Sequence, residues 1–169
     1  ANSGTYAASA DGSKGAGLLW VSGGTAVAYV YDTADSSHVI LPRTGTSSSR
    51  ASTMSADGTV IGGWEQTNTR AASIWEFKNG AWSQTLGPTA GGEVNAISPN
   101  GKYRWGWRGQ VLTLWDDLNI ETAVGQPFGA QIHSPTTATD SGGVAGSVGN
   151  QLNGGPRAMF RADKDSPWH

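Results

Sequence analysis

The sequence predicts an all-β fold: a β-propeller of four blade-like repeats of about 40–46 residues, each of four short strands, with the last blade incomplete. Three observations carry this. A tight Asx-Gly turn recurs at Gly12, Gly58, Gly101 and Gly142, at spacings of 46, 43 and 41 residues. An aromatic strand position keeps step with it at Tyr31, Trp75, Trp115 and Phe160, at spacings of 44, 40 and 45. No segment sustains the 3.6-residue apolar period of a helix, so helix is expected to be minimal. A four-stranded unit of this length cannot bury both its faces alone, whereas units stacked around an axis can.

The turn is clearest in the second unit, Ser55-Ala56-Asp57-Gly58, which runs into the apolar strand Thr59-Val60-Ile61-Gly62-Gly63-Trp64. Glycine supplies the positive φ that such a turn needs. The repeats are read over 4–45, 50–90, 93–127 and 132–169. Within each, the first strand enters the turn: Thr5–Ala10, Ala51–Ala56, Val94–Ser98 and Pro135–Thr139. The second leaves it: Gly15–Val21, Val60–Glu65, Lys102–Trp107 and Val144–Val148. The third carries the aromatic: Ala26–Tyr31, Ala72–Phe77, Val111–Trp115 and Arg157–Ala162. A fourth strand is expected at Ser37–Leu41, Ala81–Leu86 and Asn119–Val124. In the last unit Trp168 and His169 stand where that strand would begin. The expectation is a segment of a longer array, or one chain of a ring completed by a second chain or by self-association.

Composition narrows the function. The 169 residues include 25 Gly, eight Trp and no Cys, and only 14% are charged, against about 25% in an average domain. Without Cys there are no disulfides, thiolate metal sites or Cys nucleophiles. Net charge is −2 with no basic block, so no nucleic-acid footprint is present. No run of about 18 or more apolar residues exists to span a membrane. Few Lys and many small polar residues favour a secreted protein, and the start at Ala1, without Met, fits a chain whose leader has been removed and equally a fragment of a longer one.

Ser98-Pro99-Asn100-Gly101-Lys102, followed by Leu112-Thr113-Leu114-Trp115-Asp116, resembles the second half of a WD-repeat blade. Ser55-Ala56-Asp57-Gly58-Thr59-Val60-Ile61-Gly62-Gly63 resembles the bacterial extracellular HAF-type repeats, which carry a Ser-Ala-Asp-Gly turn and a Gly-ending strand. The Gly-His opening of the first family and the His-Ala-Phe signature of the second are absent. The resemblance implies a secreted propeller-like protein and brings no catalytic residues.

Candidate binding residues lie where the copies differ. In Tyr103-Arg104-Trp105-Gly106-Trp107-Arg108, aromatics alternate with Arg and Gly. Trp105 stands where the second unit has Gly62, a position where an opening would be lined. Aromatic faces and Arg forks suit sugar rings and carboxylates, so Tyr103, Arg104, Trp105 and Arg108 are the candidate ligand-binding residues. The plainer alternative is that Trp105 fills space left by a smaller neighbour. Trp64, Trp75, Trp107 and Trp115 recur and are expected to pack between blades.

Catalytic candidates are few. Asp11, Asp57, Asn100 and Asp140 are turn residues. Asp116 and Asp117 point to opposite faces of a strand and cannot flank a substrate. Neither His38, His133 nor His169 has metal-ligand spacing, and no mark of a cofactor or metal is present. Three functions remain. The first is a secreted, non-enzymatic module binding a glycan or a protein. The second is a sialidase-like polysaccharide hydrolase or lyase using Glu65, Glu76 or Glu93. The third is a structural repeat of a surface or autotransporter-like protein.

Overall fold

The computed structural model describes residues 2–21, 23–45, 47–87, 91–129, 132–149 and 156–169, without the side chain of Ile132. The expected end of the second repeat, at 90, lies outside them. The chain forms an all-β propeller of four antiparallel sheets in sequence order. The first sheet is β1 (Ser3–Ala8), β2 (Lys14–Trp20), β3 (Ala26–Asp32) and β4 (Ser37–Ile40). The second is β5 (Ser49–Met54), β6 (Val60–Gln66), β7 (Arg70–Lys78) and β8 (Ala81–Leu86). The third is β9 (Gly92–Ile97), β10 (Arg104–Arg108), β11 (Val111–Trp115) and β12 (Glu121–Gly125). The fourth has three strands, β13 (Ile132–Ala138), β14 (Gly142–Gly149) and β15 (Arg157–Asp163). The described helix is one short 3-10 turn at Pro127–Gly129.

The fourth blade stops as anticipated. His169 and Phe160 exchange both backbone hydrogen bonds, at 2.8 and 2.9 Å, so the final residue opens a fourth-strand ladder on β15. One register differs from expectation. Tyr31, Trp75 and Trp115 pair with Gly15, Ile61 and Arg104, but the fourth blade puts Arg161, opposite Val144, at that place. Phe160 lies on the other face and is exposed. The link from turn to strand is one residue shorter there, because β14 starts at Gly142 itself.

First strands approach one another, β1 to β5, β5 to β9 and β9 to β13, and so lie innermost. Each carries one β-bulge, at Tyr6, Ser52, Asn95 and Thr136, six residues before its turn glycine. Beside each bulge a glycine of the second strand faces the inner strand: Gly17, Gly63, Gly106 and Gly146. A methyl group there would collide with the carbonyl oxygen of Gly4, Arg50, Glu93 or Ser134. The bulge presses the inner strand onto the second, and only glycine admits that approach.

The turns share one construction. In the second blade Ser55 Oγ donates to Asp57 Oδ1 (2.6 Å) and accepts from Val60 N (3.0 Å), while Gly58 N donates to Ser55 O (3.0 Å). Ser9-Asp11 and Ser98-Asn100 repeat it, and Thr139 replaces the serine in the fourth turn. The turns are also chained across the mouth they share. Ala10 N donates to Ala56 O (2.8 Å), and Ala56 N to Pro99 O (2.9 Å). Pro99 has no N–H to continue, and Asn100 N instead donates to the Asp140 carboxylate at 2.8 Å.

The core is three seams between neighbouring sheets. Trp75 meets Leu41 and Val30 across the first seam, and its Nε1 donates to Pro42 O at 2.7 Å. Trp115 packs with Val94 and Ile74 in the second. Trp105 packs with Val144 and Met159 in the third. Burying each Trp contributes roughly 3–5 kcal/mol relative to alanine.

Gly63→Ala or Gly106→Ala should therefore destabilise the fold by about 3 kcal/mol. Gly80→Ala, at an open turn with φ +80°, should cost about 1 kcal/mol. Urea melts of the three variants check this ordering.

Candidate functional site

The four candidate residues start on one short segment, but the pleat sends them apart. Trp105 and Arg104 point to opposite faces of the third blade. Trp105 is 0% exposed, inside the third seam, with Trp168 edge-on at 6.4 Å. It cannot line an opening, so it fills space, as the plainer alternative held. The physical reason is the neighbour. At Gly62 a side chain would run into Val94 and Thr53, whereas Trp105 meets Ala138, Val144 and Met159.

Arg104 is 1% exposed and faces the second blade. Its Nη2 donates to Glu76 Oε1 at 3.0 Å and its Nη1 to the Asp116 carbonyl, while Asn119 Nδ2 donates to Glu76 Oε2 at 3.1 Å. Burial lowers the Arg104 pKa, against the opposing pull of Glu76. Arg108 is half-exposed, and its Nε donates to Glu121 Oε1 at 2.5 Å. Arg104 is thus a structural clasp rather than a free fork.

Tyr103 is the candidate that reaches a cavity. A cleft of about 420 Å³ opens between the third and fourth blades at the turn mouth, lined by Lys102, Tyr103, Leu114, Asp116, Asp117, Thr122 and Lys164. Gly142, at φ +82°, lacks a side chain where the Tyr103 ring meets the fourth blade. Leu114 belongs to the core cluster that holds Trp105. Asp116 and Asp117 lie past the end of β11 and both line this cleft, rather than facing opposite sides of a strand as expected; the Asp116 carboxylate accepts from Leu118 N (2.9 Å) and Ile120 N (2.8 Å), which fixes one wall. Lys164 donates to Asp165 at 2.6 Å, and this bond raises its pKa.

A second constellation escaped the sequence reading. At the opposite, crossover mouth, Arg50, Trp64 and Arg70 of the second blade converge on Glu93 of the third. Arg50 Nη2 donates to Glu93 Oε1 (2.6 Å), Ser52 Oγ donates to the same oxygen (2.7 Å), and Arg70 Nη1 donates to Oε2 (3.4 Å). Arg70 and Arg50 lie over the Trp64 ring, at 4.4 and 5.7 Å from its centroid. Arg50 also lies 5.2 Å from the Tyr6 ring of the first blade. Trp64 is half-buried beneath these cations rather than sealed between blades. The signal was the alignment of Arg50 with Glu93, one unit later, at equivalent inner-strand positions.

The three glutamates suited to hydrolysis are all engaged. Glu93 and Glu76 are bonded as above. Glu65, fully buried, accepts from Thr44 N, Thr44 Oγ1 and Gly45 N at 2.8–3.2 Å and from Gln84 Nε2 at 2.6 Å. Burial works to raise its pKa, but these bonds outweigh it and the net shift is downward. Among the described residues no three His, Asp or Glu gather to hold a metal ion. No described helix is long and apolar enough to cross a membrane.

Solved structures share the architecture. A structure titled putative TolB, from Agrobacterium tumefaciens, matches at TM-score 0.72 and 13% identity, over 96% of this chain and 62% of that one. TolB from Acinetobacter baumannii matches at TM-score 0.66 and 11% identity, over 96% of this chain and 41% of that one. This chain therefore spans less than two thirds of either. At these identities the likeness establishes the propeller fold. No protein-family model and no curated protein sequence matches the chain.

Two predictions follow from the clasps. Arg104→Met alone should cost about 3 kcal/mol, since Glu76 loses its buried partner and keeps only the exposed Lys78 (3.2 Å) and Asn119, and adding Glu76→Leu should recover part of that loss; denaturant melts decide. Glu65 has a folded pKa below the ordinary value of 4.5, so its contribution is present above that pH and fades as pH falls through the folded value. Glu65→Gln should lower stability by about 2 kcal/mol at neutral pH, and the gap to wild type should narrow as pH falls below 4.5 in a series of thermal melts.

Proposed function

We propose that the protein is a secreted, non-enzymatic propeller module that binds a glycan, seated in the Tyr103 cleft between the third and fourth blades. The carrying observation is the cleft itself: about 420 Å³, with an aromatic ring, the apolar Leu114 and several polar groups at one opening. That volume lies in the range of small-ligand sites, about 300–1,000 Å³. The Tyr103 ring offers an apolar face to a sugar's C–H groups, and Lys102, Asp117, Thr122 and Lys164 offer hydrogen bonds to its hydroxyls. Engagement of Glu65, Glu76 and Glu93 in clasps supports binding over hydrolysis. Secretion is supported by composition alone: few Lys, abundant small polar residues and eight Trp.

Purified protein on a glycan array should retain at least one oligosaccharide class. Tyr103→Ala should weaken that binding about tenfold, with a thermal melt confirming that the variant remains folded despite the loss of the ring's packing on the core. An array with no retained glycan overturns the reading.

A further inference from the structure

We infer that the crossover mouth carries a second site, for a carboxylate-bearing sugar unit, built from Arg50, Trp64, Arg70 and Tyr6. It is separate from the Tyr103 cleft, which opens at the other mouth, and it goes beyond the reading above.

The charge count comes first. Arg50 and Arg70 both hold Glu93, so two guanidiniums share one carboxylate and the cluster keeps a net positive charge within a chain of net charge −2. Glu93 is buried, while the side chains of Arg50 and Arg70 remain 29% and 41% exposed. Each guanidinium has five N–H donors. Among the described residues Arg50 donates to Ser52 (3.2 Å) and to Glu93, and Arg70 donates to Glu93. The other N–H groups have no partner among those residues.

An independent observation points the same way. The Trp64 indole Nε1 is buried and has no hydrogen-bond partner. It belongs to the ring over which both guanidiniums lie, so the indole that positions the Arg pair also carries an unsatisfied donor. The network also preorganises the forks. Stacking on Trp64 and the bonds to Glu93 fix both Arg planes before a ligand arrives, which lowers the entropic cost of binding. Arg suits this task because its planar fork matches a carboxylate.

Tyr6 supplies the sugar preference. It is a bulge residue of the innermost strand, 54% exposed, with Arg50 against its ring. An exposed aromatic beside an anion fork takes a pyranose ring and its carboxylate together. An acidic peptide would use the fork alone.

Titration calorimetry with trigalacturonate, maltotriose and a glutamate trimer tests the assignment. Trigalacturonate should bind, and neutral maltotriose should bind at least about tenfold more weakly at this site. Arg70→Gln and Trp64→Phe should each weaken trigalacturonate about tenfold, while Val39→Thr, on the exposed outer strand of the first blade, leaves it unchanged. Arg70 is the better probe, because Arg50 also closes the clasp on Glu93; a thermal melt confirms that the Arg70 variant is folded. No trigalacturonate binding, equal binding by the glutamate trimer, or unchanged affinity in the folded Arg70 variant overturns the proposal. A neutral glycan bound through Tyr103 without trigalacturonate binding removes this site and leaves the first reading standing.

Discussion

The close approach of each innermost strand to its neighbour is the contact on which the remaining architecture depends. A bulge at Tyr6, Ser52, Asn95 and Thr136 drives a carbonyl toward the second strand, and Gly17, Gly63, Gly106 and Gly146 leave room for it. The bulge also sets the register that follows it. Past the bulge, the side chains entering the turn and those leaving it reach the faces where seams form. Ile61, Trp105 and Val144 are buried as a result. Because glycine is required only at the contact, the bulge residue itself is free to differ, and it is Tyr, Ser, Asn and Thr in turn.

Charge is used sparingly in this chain, and much of it is spent between blades. Glu65 ties the crossover at Thr44 and Gly45 to the second blade. Glu76 and Arg104 join the second blade to the third near the turn mouth, and Arg50 and Glu93 join the same pair at the crossover mouth. Stacked sheets bind through apolar side chains that tolerate sliding. Buried ion pairs penalise any displacement, because a shift would strand a charge. The three glutamates are thereby engaged in holding the blades together. On the two proposals made above, binding falls to Tyr103 at one mouth and, at the other, to the N–H donors that Arg50 and Arg70 keep beside Glu93.

Much of the fold was legible because turns are local. Asp57-Gly58 announces its own geometry, and the distance to Trp75 is set by strand lengths that vary little. The bulge-facing glycines were equally visible, five residues past the turn glycine in three units and four in the last, but their meaning lies in a contact with another strand, which no local rule supplies. Trp105 illustrates the harder limit. Alternation placed it correctly on a face, yet whether that face opens or closes depends on Ala138 and Val144, more than thirty residues away. The Arg50–Glu93 pair spans 43 residues, and Phe160 for Arg161 is a one-residue error that only pairing resolves. Pro99 and Asp140 depart from the Ala and Asp-Gly of the second unit's turn, and the bond from Asn100 N to the Asp140 carboxylate joins the third and fourth turns where Pro99 offers no N–H.

The central claim is that bulge, glycine contact and charged seams bind the blades into one cooperative body. Native-state amide hydrogen exchange tests it most directly. The account predicts that the slowest amides lie in β6 and β10, including Gly63 and Gly106, and that they open together with one free energy close to that of global unfolding. Separate opening of the second and third blades, or exchange in β6 and β10 as fast as in the Asn79-Gly80 turn, would contradict it.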